Sequence, residues 1–161
     1  MNMLLIINKG LLFACVSMYF GTGWSLVLFT FPIAPELTPD NYYNQFVPQV
    51  QAATHFFTYM TVVMMVCCAI FIVETWRSPD KWVPIVILVL VVAATALTVY
   101  FIFEYNDRMA AGIKDPVELS TVLSKWMRLN IIRVSLWTLQ WLTLMIYFLM
   151  VLKRRQHAAL S

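Results

Sequence analysis

The sequence is poor in charge: only 12% of its 161 residues are Asp, Glu, Lys or Arg, against roughly 25% in an average soluble domain. So few charged side chains cannot cover a globule of this size with polar surface, which excludes an ordinary soluble enzyme and a disordered tail. The eleven Lys and Arg residues are also too few and too dispersed for a nucleic-acid reader, which needs them clustered on one face. No nucleic-acid partner is therefore expected.

Histidine and cysteine are scarce as well. The histidines are His55 and His157. Three cysteines are too few for an 18.7 kDa chain to be a small protein stabilised mainly by disulfide bonds. No His-x-x-His, Glu-x-x-His or Cys-x-x-Cys spacing occurs, so we expect no metal centre built by this chain alone. A haem stays open as a cofactor, with His55 as one ligand and either a methionine or a second subunit's histidine as the other.

What the sequence does have is apolar residues in long runs, with 61% hydrophobic residues and a mean hydropathy of +0.77. A helix needs roughly 20 mostly apolar residues to cross a bilayer, and a backbone in lipid must satisfy its own hydrogen bonds. Four runs qualify, at about 10–31, 51–73, 82–103 and 130–152. The sequence therefore predicts an all-α, polytopic membrane protein: one domain over 1–161, folded as a four-transmembrane-helix bundle in contact with the lipid bilayer.

The basic residues predict the orientation. Six lie on the side that holds both termini and the short middle connection, and only four lie opposite, where acidic residues accompany them. By the positive-inside rule both termini are cytoplasmic, in a multi-pass protein of the cell membrane, with a bacterial inner membrane as the expected location. The two outer connections, about 19 and 26 residues long, are predicted as loops. Five aromatic residues near the span ends are typical of an interfacial belt: Trp82, Trp126, Tyr42, Tyr43 and Tyr105.

Polar side chains occur inside the spans, where lipid makes them costly. Arg133 lies about one turn inside the fourth span and His55 about one turn inside the second, while Glu104 and Asn106 close the third. An ionisable group at this depth is a candidate functional residue by default. We expect these groups to meet at the outer end of the bundle, with Glu104 as the partner of Arg133, and we expect nothing comparable at the opposite end.

The fourth helix indicates the same site. Trp126, Asn130, Arg133, Trp137 and Gln140 follow helical spacing, so they share one stripe that faces into a bundle. Ordinary explanations stay open for each candidate. Arg133 could snorkel to lipid headgroups, His55 could be an interhelical hydrogen-bond donor, and Glu104 could only end its helix. The tryptophans could belong to the belt or to helix packing.

The start of the fourth helix also carries a motif, Trp126-x3-Asn130-x2-Arg133, and Asn106 stands in Tyr-Asn-Asp-Arg at the end of the third. With a Gly-x-Gly and a Phe-Pro in the first span, the chain resembles a small four-helix membrane family that includes the anthrone oxygenases. The resemblance implies oxygenation of an activated aromatic by dioxygen without a cofactor. It implies Arg133 and Asn130 as oxyanion donors and Trp126 and Asn106 as substrate contacts.

Two further roles come from position alone: His55 as the catalytic base and Trp137 as a stacking wall.

The leading hypothesis is thus a membrane oxidoreductase or oxygenase that acts on a hydrophobic aromatic or quinone-like small molecule. One alternative is a non-catalytic subunit or assembly factor of a larger membrane complex, of respiratory or monooxygenase type, or a homo-oligomer. The reason for this alternative is that the third span has no charged residue over 84–103, so another protein could cover it. A second alternative is a haem-binding electron-transfer subunit.

Overall fold

The computed structural model describes the backbone of residues 3–160 and the side chains of residues 3–158. Within that part of the chain every regular element is a helix. Four helical segments are long and apolar enough to cross a membrane: Met3–Glu36, Tyr42–Thr75, Pro79–Ala110 and Pro116–Ala158. The prediction of an all-α, four-span membrane protein is confirmed.

The four spans are built from five α-helices joined by short irregular turns. The helices are α1 (Met3–Ser25), α2 (Tyr42–Thr75), α3 (Trp82–Leu97), α4 (Phe103–Ala110) and α5 (Pro116–Leu160). A π-helical turn, Leu26–Thr30, extends α1 into a 3-10 turn, Phe31–Glu36. A second π-helical turn, Thr98–Ile102, joins α3 to α4. Pro32 and Pro35 lie in the 3-10 turn Phe31–Glu36, and because proline lacks an amide hydrogen an α-helix cannot continue through them.

The helices run further than hydropathy predicts. α2 begins at Tyr42 and α5 begins at Pro116, so the prediction of two loops of about 19 and 26 residues is wrong. Only 37–41 are non-helical between the first and second spans, and only 111–115 between the third and fourth. A helix of 45 residues is about 67 Å long, against about 30 Å of hydrocarbon. Hydropathy detects the part in lipid, but the amphipathic extension beyond it is held by packing.

The spans form a closed ring in the order α1, α2, α3 and α5, in which each helix contacts its two neighbours. Chain connectivity makes neighbours antiparallel, so both termini and the connection between α2 and α3 lie at one end, which we call the terminal end. The segments 37–41 and 111–115 lie at the other, which we call the connection end. Large apolar side chains cover the outside of the ring, as contact with lipid requires.

A second apolar core closes the connection end, where the extensions of α2 and α5 pack on α4. The hydroxyl of Tyr42 donates a hydrogen bond to the carbonyl of Met109 at 3.0 Å and accepts one from the amide of Ile113 at 2.5 Å. Tyr42 and Trp126 are 1% and 2% exposed, so their predicted place in an aromatic belt is wrong. Both side chains belong to this core because α2 and α5 stay helical through these positions and pack on α4.

The terminal end holds an interhelical polar cluster. Lys9 and Glu74 form an ion pair at 2.7 Å, with side chains only 12% and 18% exposed, and the Lys9 amine lies 5.0 Å from the ring centre of Phe71. The neighbouring Asn8 donates to the carbonyl of Cys67 at 3.1 Å. We expected no group of polar side chains at this end comparable to the one at the other end, and that expectation is wrong. Sequence places each residue at a span end, but the pairing depends on which helices are neighbours.

A cavity in the bundle as the candidate ligand site

A cavity of about 540 Å³ lies between the spans and is lined by residues of α1, α2, α3 and α5. Its walls mix aromatic rings with hydroxyl and amide groups. Among the described residues that line it there is no Asp, Glu or His, and Arg133 is the one charged side chain. Over residues 3–158 no three His, Cys, Asp or Glu side chains are grouped so that they could hold a metal ion. The cavity is therefore mainly apolar, with neutral polar groups in its walls and a single positive charge.

The guanidinium of Arg133 is held in place by neutral partners. It donates to the hydroxyl of Thr98 at 3.4 Å and to the side-chain oxygen of Asn130, and its central carbon lies 4.7 Å from the ring centre of Trp137. Its Nε is enclosed and has no hydrogen-bond partner within the described chain. No carboxylate pairs with Arg133 among residues 3–158. The positive charge thus faces the cavity uncompensated.

The expected pairing of Arg133 with Glu104 is wrong. Glu104 lies on α4 with an exposed side chain and does not line the cavity. Thr98, in the π-helical turn six residues earlier, is the residue of this span that reaches Arg133. The role of Glu104 in substrate binding stays a prediction, and the structure places it away from the cavity.

Hydrogen bonds link the motif residues to one another. Asn130 is fully buried; its amide group donates to the carbonyl of Trp126 at 2.8 Å while its oxygen accepts from Arg133. The indole of Trp126 donates to the side-chain oxygen of Asn106 at 2.8 Å. Trp126, Asn106 and Arg133 line the cavity and Asn130 stands behind them. Asn130 therefore orients the guanidinium in this geometry, and its predicted role as an oxyanion donor is untested.

Aromatic rings form the walls on either side of Arg133. Trp137 packs on Tyr19 with ring centres 4.8 Å apart and on Phe57 at 6.3 Å. The hydroxyl of Tyr19 donates to the backbone carbonyl of Phe57 at 2.7 Å, which fixes that ring. Towards the connection end, Trp126 meets Phe46 edge-on at 5.0 Å. Flat rings fixed in this way suit an aromatic ligand.

His55 is not brought to Arg133. Its side chain is exposed and lines a second cavity, of about 570 Å³, between α2 and α4. Asp107 lines this second cavity too. The two cavities share wall residues, namely Phe46, Val50, Thr54, Phe103 and Asn106. His55 and Arg133 therefore stand on opposite sides of a common wall, and the role of His55 as a catalytic base stays a prediction.

Sequence reasoning missed most of the hydroxyl groups of the cavity. Thr54, Thr58 and Thr61 follow one another at helical spacing along α2 and all line it, as does Thr98 on the opposite side. Each donates its hydroxyl hydrogen to the carbonyl four residues earlier, at 2.8–2.9 Å. The oxygen of Thr98 also accepts from Arg133, and the oxygen of Thr61 lies 2.5 Å from the hydroxyl of Tyr19. The spacing of the three threonines in an otherwise apolar span was the signal that could have located this face.

No protein-family model, curated protein or solved structure matches this chain. The candidate site is therefore defined by the geometry of the cavity alone.

Proposed function

We propose that this small integral membrane protein binds a hydrophobic aromatic or quinone-like molecule in the cavity, with Arg133 as the counter-ion of an anionic oxygen. The observation that carries the proposal is the uncompensated guanidinium, which lines an aromatic-walled chamber among membrane-spanning helices. A charge in such surroundings is stabilised by a close partner of opposite sign. Since no described residue provides that partner, a ligand is the natural source of it.

The chemistry proposed for the bound molecule is the one that the anthrone oxygenase resemblance implies. An aromatic ketone with an acidic methylene group loses a proton to give an enolate, and the enolate reacts with dioxygen. The methylene carbon gains one oxygen atom as a carbonyl, and the second oxygen atom leaves as water that contains both hydrogens of the methylene group. Arg133 stabilises the enolate oxygen by charge and hydrogen bonding. Dioxygen is apolar and reaches the cavity through the hydrocarbon of the bilayer.

Ligand binding tests the counter-ion. In purified protein in nanodiscs, 2-naphthoate should quench tryptophan fluorescence with a Kd that Arg133→Gln weakens at least about tenfold, because charge-assisted bonds contribute about 1.5–3 kcal/mol. The methyl ester of 2-naphthoate lacks the charge and should bind both proteins alike. Arg128→Gln removes an exposed cation of the same helix and is the matched control. Equal 2-naphthoate affinity in wild type and Arg133→Gln contradicts the proposal.

Turnover tests the chemistry separately. Wild-type protein should convert anthrone to anthraquinone with consumption of dioxygen and without an added cofactor. Arg133→Gln should lower kcat/KM by about 100-fold or more, the usual effect of removing one oxyanion donor, while Arg128→Gln keeps it. Binding without turnover would retain the ligand site and reject the oxygenase.

A further inference from the structure

Gln140 is a buried amide at the deep end of the cavity. It follows Arg133 by seven residues on α5, two turns or about 10.5 Å closer to the terminal end. The side chain lines the cavity and is only 1% exposed. Its oxygen has no hydrogen-bond partner within the described chain.

An amide without a partner in apolar surroundings costs free energy, so a buried one in a folded protein calls for an explanation. The terminal torsion of a glutamine side chain is soft, and its rotation turns either the oxygen or the NH2 group towards the cavity. A hydroxyl group is both a donor and an acceptor. It can therefore satisfy this amide in either orientation.

We infer that Gln140 is a second recognition point, at which the ligand held by Arg133 places a hydroxyl group at the far end of its apolar ring system. This rests on the proposed function, because it assigns the other end of the same bound molecule. The substrate class is thereby narrowed to planar apolar compounds that carry an anionic oxygen at one end and a hydroxyl at the other. Trp137 lies between the two contacts along α5 and packs against the ring system.

Two probes separate the hydroxyl contact from the charge contact. 2-Naphthoate and 6-hydroxy-2-naphthoate share the carboxylate and differ by one hydroxyl at the opposite end of the rings. In wild-type protein the hydroxyl should tighten the Kd about fivefold, the effect of one neutral hydrogen bond of about 1 kcal/mol. In Gln140→Leu this gain should disappear while the Kd of 2-naphthoate is unchanged. Gln45→Leu makes the same exchange at an exposed position outside both cavities and should keep the gain.

The outcomes distinguish a failure of this inference from a failure of the proposed function on which it rests. Equal affinities of the two probes in wild type, or the same hydroxyl gain in Gln140→Leu, would overturn the role of Gln140. Failure of 2-naphthoate to bind wild-type protein would overturn the proposed function, and this inference with it. Thermal unfolding of Gln140→Leu should occur at or above the wild-type temperature, since an unpartnered amide is removed. Gln140→Met serves as a second variant for the same comparison.

Discussion

At the scale of single residues, the defining feature is a cation whose partners among residues 3–158 are all neutral. Arg133 is fixed by Thr98, Asn130 and the face of Trp137. Each of these contacts orients the guanidinium, and none cancels its charge. Lys9 at the terminal end provides the contrast, because its ion pair with Glu74 neutralises it. A neutralised cation ties helices together, whereas an uncompensated one attracts an anion.

Asn130→Asp tests this distinction by supplying the missing charge from within the protein. A carboxylate of nearly the same shape beside Arg133 should pair with the guanidinium and compete with an anionic ligand. We expect the Kd of 2-naphthoate to rise at least about tenfold, by the same charge-assisted energy of about 1.5–3 kcal/mol. The ester should bind as before. Asn44→Asp adds the same charge at an exposed position of α2 and should leave the affinities for 2-naphthoate and for its ester unchanged. An unaltered Kd of 2-naphthoate in Asn130→Asp would argue against Arg133 as the counter-ion.

At the scale of elements, irregular turns and close helix contacts shape the cavity. The π-helical turns Leu26–Thr30 and Thr98–Ile102 interrupt the first and third spans, and both contribute lining residues. An extra residue in a helical turn changes which side chains face inward, and such turns are frequent at functional sites. The cavity therefore lies where two non-neighbouring helices of the ring depart from α-helical geometry.

Gly23 sets the approach of α1 to α5. A Cβ atom there would lie 2.8 Å from Cε3 of Trp137 and 2.9 Å from Cγ2 of Val134, whereas a Cβ at Gly21 would meet nothing within 4 Å. Gly23→Ala should therefore lower the free energy of unfolding by about 1–3 kcal/mol and weaken ligand binding by displacing Trp137. Gly21→Ala should be neutral or stabilising by up to about 1 kcal/mol, since alanine favours a helix. Denaturant titration in detergent measures both, and equal effects of the two variants would refute the close contact.

At the scale of the whole molecule, every span of the chain contributes to the cavity. All four spans line it, and the apolar core of the connection end closes the bundle above it. We therefore expect ligand binding as proposed to need no second subunit. This separates the proposal from the alternative of a non-catalytic subunit, whose function would depend on a partner.

The monomer should accordingly be sufficient for binding. In mild detergent, a species whose protein mass is that of one 18.7 kDa chain should bind 2-naphthoate with one site per chain, and dilution should not change the Kd. Mass photometry or light scattering with in-line chromatography gives the protein mass, and fluorescence titration of the same fraction gives the stoichiometry. Binding confined to an oligomeric fraction would instead support the subunit hypothesis. Arg133→Gln is the control for specific binding.

The predictable part of the candidate site is its helical stripe. Trp126, Arg133 and Trp137 line the cavity as their spacing on the fourth helix indicates. The positions of His55 and Glu104 were not predictable in this way, because each depends on the rotation of a different helix about its own axis. Periodicity fixes which residues of one helix share a face, but not which face of the next helix meets them.

By itself the sequence determined the class of molecule: scarce charge and four long apolar runs leave a helical bundle in a membrane, since lipid requires every backbone group to be bonded within its own helix. Which polar groups meet was decided by the tertiary structure alone. Glu74 neutralises Lys9 at one end of the bundle, while Arg133 at the other end finds only neutral neighbours. The physical reason is that ion pairing acts over a few ångströms between different helices. Those distances are set by the helix order and the π-helical turns, which hydropathy does not predict.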